Sequence, residues 1–380
     1  MSPPTGVALW QHFTDLPDPR VERSRLHKLL DILALTICAV LAGADNWAEV
    51  ERYGRRKYDW LKTFLALPNG IPSHDTIGRV FAVLDPAAFQ RCFLSWVGAV
   101  AEASDGRIVA IDGKTLRRSF DTAAGRGALH LVSAWATENQ LLLGQQAVDA
   151  KSNEITAIPE LLRILDVTGA IVTIDAMGCQ KEIATQIHQA GGAYVLALKE
   201  NHEKLYHEVA QLFVDGLEDD FAGLEHRYHH TRDTNHGRTE DRHYHVVAVP
   251  DGLRAKHPGW EGLRSLGMVF SERQVGTAEA TCETRFYLSS LPPKVKQFAR
   301  AVRGHWGIEN GLHWILDVSV REDDSRLRKD HGPENFALVR RLAASLLKNE
   351  TTATSGVASK RKEAGWDNGY LLQVLAAVPK

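Results

Sequence analysis

A chain of 380 residues exceeds one ordinary compact domain and is long enough to bury a large core, so two or three domains are expected. With 44% apolar and 24% charged residues, the composition is that of a folded globular protein and excludes a disordered or fibrous chain. The formal net charge of -2 excludes overall attraction to a polyanion, so contacts to one would have to come from local basic patches.

The first twenty residues lack the basic start and apolar core of a secretory signal. Four cysteines, Cys38, Cys92, Cys179 and Cys282, lie far apart without CxxC pairing, so reduced thiols and a cytoplasmic location are expected. From Lys28 to about Ala103 apolar residues recur at helical spacing, as in Leu30, Leu33, Ile37, Val40 and Leu41. The apolar run Leu29 to Ala44 is broken by Asp31 and is short of a membrane span. Ser73 offers N-cap chemistry after Pro72, and the helical domain is expected to end near Asp105 and Gly106. Basic residues cluster at Arg20, Arg23, Arg25 and Lys28, and at Arg52, Arg55, Arg56 and Lys57. Further clusters are Lys114, Arg117 and Arg118, and Arg326, Arg328 and Lys329; any of them can equally be a solvated face.

The texture changes at RIVAID (107–112), ALHLVSAWAT (128–137) and LLLGQQAVD (141–149), three strands joined by short turns. An amphipathic helix (153–165), a buried strand AIVTID (170–175), a glycine-closed helix (180–191) and a strand AYVLAL (193–198) complete the order βββαβαβ. Polar, His-rich alternation follows in RHYHVVAV (242–249), with SLGMVFSERQV (265–275) and ETRFYLSSL (283–291), and reads as a β-rich insertion. Helical periodicity returns over 300–316 and 333–350.

Asp112 and Asp175 each end a short apolar strand, and ends of neighbouring strands in an open sheet are where ligands and metals collect. Two such carboxylates suit Mg2+ or Mn2+, which favour oxygen donors, although aspartate after a strand also commonly caps a turn. For a third acid the pattern favours Glu309, with His305 four residues before and His313 four after on one helical face, while Ile308, Leu312 and Ile315 form the packing stripe. Asp317 and the run Glu322, Asp323 and Asp324 are alternatives, the run reading as a surface turn or as groups behind the metal ligands. Zinc would need ligands beyond His305, Glu309 and His313, whose order is not HExxH.

AIDGKTLR (110–117), HLVSAWATENQLLLGQ (130–145), KSNEITAIPELL (151–162), TIDAMGCQK (173–181), YVLALKENH (194–202) and RGHWGIENGLHWILDVSVRED (303–323) together resemble the DDE transposases of bacterial insertion sequences. The branch resembled includes the H-repeat-associated proteins, and the likeness reaches DPR (18–20) and LPNGIPSHDTIGRVF (67–81). It implies an α/β, RNase H-like catalytic domain over 106–219 and 292–350 with a β-rich insertion over 220–291; the residues themselves set off a helical N-terminal domain over 1–105, a candidate for DNA-end binding through its basic Arg20 to Lys28 stretch, and a C-terminal tail and helix over 351–380. It also implies metal-ligating, catalytic Asp112, Asp175 and Glu309 with Mg2+ or Mn2+. The implied partners are double-stranded DNA, as terminal inverted repeats and target, and a second copy of the chain on paired ends.

The family's Tyr, Arg, Glu, Lys pattern is only partly kept, because Val302, His305 and Leu316 stand at the Tyr, Arg and Lys positions. Phosphate contacts would then fall to Arg303, His305 or Arg321, with Lys114, Arg117 and Arg118 close behind the first acid. Trp306 matches a tryptophan that packs on a displaced base in relatives, and Lys199 is next to Glu200 where the branch tends to carry a smaller residue. The competing readings are a nuclease of the same fold that cuts without joining, and an inactive DNA-binding relic.

Overall fold

The computed structural model describes residues 8–100, 107–122, 124–148, 152–235 and 237–377. The expected domain boundary at Asp105 and Gly106, Asp149 at the end of the third strand, and Lys151 of the KSNEITAIPELL motif lie outside the described residues. The chain forms two compact units: Met1–Ala103, Gly113–Asn153 and Ile308–Lys380 make the first, and Ser104–Asp112 with Glu154–Gly307 the second.

Nine strands are found among the described residues: β1 (Ile108–Thr115), β2 (His130–Ala136), β3 (Leu141–Ala147), β4 (Ile171–Ile174), β5 (Ala193–Leu198), β6 (His226–Asn235), β7 (Arg238–Ala248), β8 (Ser265–Val275) and β9 (Thr281–Ser289). Their order in the sheet is β3-β2-β1-β4-β5-β9-β8-β7-β6. The fold is therefore mixed α/β, and its first five strands and intervening helices follow the predicted βββαβαβ succession.

In the second unit β1, β4 and β5 run parallel, and β5 continues antiparallel into β9, β8, β7 and β6. The β-rich stretch thus prolongs the sheet. The helix Val295–Ile308 carries Phe298, Ala299, Ala301 and Val302 into a core with Val195, Val269 and Tyr287, the three-and-four spacing turning one face inward. Two glycines set how closely it packs. A Cβ on Gly267 would fall 2.2 Å from Phe298 Cζ, and one on Gly304 would fall 2.5 Å from Ile108 Cδ1. Gly304→Ala is therefore expected to cost about 1–3 kcal/mol of stability through overpacking, even though alanine is the better helix former. Adding Ile108→Val, which removes the clashing methyl, should restore part of the melting temperature; no loss from Gly304→Ala alone would show that the helix can back away.

A helix at Glu203–Glu218 was not expected from the sequence, and β6, inside the expected β-rich insertion, was not singled out as a strand. HRYHHTRDTN has no apolar alternation, and it becomes a strand because Tyr228 and His230 lie opposite His245 and His243 of β7, both rings stacking on His243 and Tyr228 also tilting against His245. Within this ladder His245 is pushed down to about 4 by burial first, then by His226 and His243. A histidine with a depressed folded value contributes stability above its ordinary value of 6.5, which is lost as pH falls from there toward 4. Its ring protons are expected to titrate near 4 by NMR, and a midpoint above 6 would contradict the buried, neutral ring.

In the first unit the helix Leu29–Leu41 is buried at every residue except Leu30, which explains its continuous apolar run. Its buried Asp31 accepts backbone N–H groups of Ala66, at 3.3 Å, and Leu67, at 2.8 Å. Arg361 closes the helix end, donating to the carbonyls of Val40 at 2.8 Å and Ala44 at 2.9 Å and pairing with Asp45 at 2.6 Å. The N-terminal basic stretch is partly spent on itself. Arg20 clamps Asp18 at 2.7 Å and donates to the His27 carbonyl, and Arg25 donates to the Arg20 and Asp18 carbonyls.

Candidate active site

In the second unit β1 and β4 pair in parallel up to Ile111 opposite Ile174, so Asp112 and Asp175 occupy the next positions on neighbouring strands. Both are half-buried. Asp112 does not end its strand as the sequence suggested, since β1 runs on to Thr115. Asp175 does follow the end of β4, and its Oδ1 also performs the turn-capping role, accepting from the backbone N–H of Met177 at 3.0 Å and Gly178 at 3.2 Å. Only glycine fits at 178, where a Cβ would stand 2.3 Å from Ile174 Cγ2.

The loop carrying Asp175 is braced from the segment after β5. Asn201 donates to the Ala176 carbonyl at 2.8 Å, and His202 Nε2 lies 2.6 Å from the Cys179 carbonyl oxygen. These two residues, within the YVLALKENH stretch, are site-supporting groups that pattern reading did not single out. Lys199 and Glu200 beside them are exposed. On the helix Val295–Ile308, His305 Nδ1 is 3.1 Å from Thr173 Oγ1 on β4, two residues before Asp175. Thr173 was likewise not singled out. Arg303 is exposed and 3.7 Å from Asp233, and Trp306 is 39% exposed with the Arg285 guanidinium 4.8 Å from its ring centroid. Val302 is buried in the core.

In the first unit the helix does not continue regularly, because Glu309–His313 forms a π-helical turn before the helix Trp314–Val318. Such a turn holds one more residue than an α turn, shifts the phase of everything after it, and is frequent at functional positions. The single polar face expected for His305, Glu309 and His313 is accordingly broken. Glu309 is exposed while His313 is buried, its Nδ1 3.7 Å from Glu309 Oε2. A carboxylate oxygen of Glu309 and a ring nitrogen of His313 are within 4.8 Å, in reach of one cation. Ile308, Leu312, Ile315 and Leu316 are buried, so Leu316 offers a core contact where the superfamily has a lysine.

The acid run after this helix divides by role. Glu322 is fully buried against Arg341 at 2.7 Å, not on a surface turn. Asp323 and Asp317 hold Lys114, at 3.3 and 2.7 Å, and Lys114 is only 10% exposed. Arg117 pairs with Asp323 at 3.1 Å, Arg118 with Asp324 at 3.6 Å, and Arg321, at φ 53°, with Asp324 at 3.0 Å. Arg117, Arg118 and Arg321 remain exposed at their tips.

The donor set fits a hard divalent cation. In the second unit Asp112 and Asp175 offer carboxylate oxygens from neighbouring strands, donors of the type that Mg2+ and Mn2+ favour.

Residues 103–347 match the family model described as "Transposase DDE domain", and residues 10–97 match its companion, "DDE_Tnp_1-associated". "Putative transposase YncI" of Escherichia coli O157:H7 is 41% identical over 372 residues, covering 97% of this chain and 95% of that protein. "H repeat-associated putative transposase YhhI" of Escherichia coli K12 is 42% identical over 371 residues, covering 97% of each. A piggyBac transposase synaptic complex with hairpin DNA aligns at 8% identity with a TM-score of 0.39, covering 95% of this chain and 75% of that one, a likeness too weak to identify a shared fold. With its family model spanning most of the length and relatives similar from end to end, the chain belongs to the DDE transposase family.

Proposed function

We propose that this protein cuts the ends of an insertion element and joins them to target DNA, using Asp112, Asp175 and Glu309 as ligands for Mg2+ or Mn2+. The observation that carries the reading is the parallel β1–β4 register, which sets Asp112 and Asp175 side by side at the positions just past the paired residues. The strand order β3-β2-β1-β4-β5 further supports an RNase H-like catalytic core. A divalent cation bound there supplies Lewis-acid activation of the attacking oxygen and charge neutralisation at the leaving one.

The chain's own residues do the rest. The carboxylates act as ligands, with Asp175 held in orientation by its turn. His305, fixed against Thr173, and the exposed Arg303 and Arg321 take over phosphate contacts left without the family's Arg and Lys. Lys114, paired with Asp317 and Asp323, orders the segment after the first acid and presents Arg117 and Arg118 to the backbone. Lys199 borders the DNA path, and Trp306 offers a stacking face for a displaced base. The N-terminal region, 1–105, reads the element ends, and two copies act on a pair of them.

Purified protein with Mg2+ and DNA carrying its own flanking repeats is expected to give end-specific nicks and joined products. Cuts without joining would favour the nuclease, and neither product would favour the relic.

A further inference from the structure

We propose that the first unit holds a second, non-catalytic cation site, where Asp85, Gln145, Glu334 and Asn335 line one cavity of about 200 Å3 and would bind a hard divalent ion of the Ca2+ class. The four residues come from three separate stretches of chain. Asp85 precedes the helix Pro86–Val100, Gln145 is on β3, and Glu334 with Asn335 opens the helix Gly332–Asn349.

Two buried amides carry the argument. Asn335 is 1% exposed and spends its NH2 on the Phe81 and Leu84 carbonyls, both at 2.9 Å, which fixes the amide orientation and leaves Oδ1 without a hydrogen-bond partner. Gln145 is 4% exposed and donates through Nε2 to the Glu334 carbonyl at 3.2 Å, which leaves its Oε1 in the same condition. Native interiors rarely leave such acceptors unsatisfied without a reason.

The surroundings are acceptor-rich as well. Among the described residues no Lys, Arg or His lines the cavity, which Asp85 and Glu334 share. Burial, and Asp85 after it, push the Glu334 carboxyl up to about 7, the response of an acid that lacks a cation nearby. Carboxylates and amide carbonyls are the ligand types of Ca2+, which accepts irregular geometry and completes its shell with water, whereas Mg2+ demands a near-ideal octahedron. Asp85 is exposed and gives the ion its entry.

The test uses the full chain carrying Asp112→Ala and Asp175→Ala, so that the proposed catalytic ligands do not contribute, stripped with EDTA and titrated with Ca2+ at pH 8 by calorimetry. One Ca2+ per chain and a raised melting temperature are expected. Adding Asp85→Asn should weaken binding by at least about tenfold and Glu334→Gln should remove it, with affinity also falling as the pH is lowered through 7. Asp85 is at the exposed mouth, so its variant remains informative if Glu334→Gln does not fold. Absence of Ca2+ binding at pH 8, or equal affinity in the parent and Asp85→Asn, would overturn the proposal.

Discussion

Asp112→Asn, Asp175→Asn and Glu309→Gln are each expected to lower metal-dependent cleavage of the repeat-bearing DNA by at least about 10³-fold, while gel-shift binding of the same DNA persists. A metal ion contributes several kcal/mol of charge stabilisation in a phosphoryl-type displacement, and each 1.4 kcal/mol is a factor of ten in rate. These amides keep the shape of the acids and remove the charge, so the loss reports on ligation rather than on folding. The three positions should not behave alike in stability. Asp175 also caps its own turn through Oδ1, a bond that an asparagine carbonyl can still accept, so Asp175→Ala should lower the melting temperature where Asp175→Asn does not. Glu309, exposed on its π turn, should tolerate glutamine without structural cost. Cleavage undiminished in the Glu309 variant would remove it from the site and return Asp317 to consideration.

The second large effect is on folding. Glu322 and Arg341 are both completely buried and 2.7 Å apart, and Arg341 also stands 3.4 Å from Ser133 Oγ on β2. A buried ion pair adds little against a well-packed apolar pair, but removing one partner leaves an uncompensated charge that typically costs about 3–5 kcal/mol. Glu322→Ala is therefore expected to destabilise the first unit by that amount, with Arg341→Ala close behind, and Glu322→Leu combined with Arg341→Met should recover most of the loss. Thermal melting and amide exchange of the helix Gly332–Asn349, which carries Arg341, would both report it. A Glu322→Ala protein melting within a degree of the parent would show that water reaches Arg341. The same segment supports the first acid's neighbourhood, because Asp323 immediately follows Glu322 and holds Lys114 and Arg117.

From β1 to β5 the succession of strands and helices was written in the sequence. Strands β1 to β5 and the helices between them announced themselves by apolar runs, glycine stops and three-and-four spacing, all of which are local, and Asp175 stood out because it follows such a run. The packing stripe of Ile308, Leu312 and Ile315 was legible for the same reason, since burial of one helical face imposes its period on the chain. What local pattern cannot encode is which distant group a polar side chain meets. The pairing of Lys114 with Asp317 and Asp323, of Glu322 with Arg341, of His305 with Thr173, and the orphaned carbonyls of Gln145 and Asn335 each join residues that no periodicity links. The π turn at Glu309–His313 and strand β6 belong to this second group too: a Cβ on Gly311 would stand 3.3 Å from Trp135 Nε1, and the polar β6 gains its strand form from the β7 ladder beside it. Backbone periodicity is fixed by each residue's immediate preference for burial, whereas charge and hydrogen-bond partners are chosen only when the chain has closed, so β1 to β5 and the helices between them were readable in advance and their polar connections were decided by the fold.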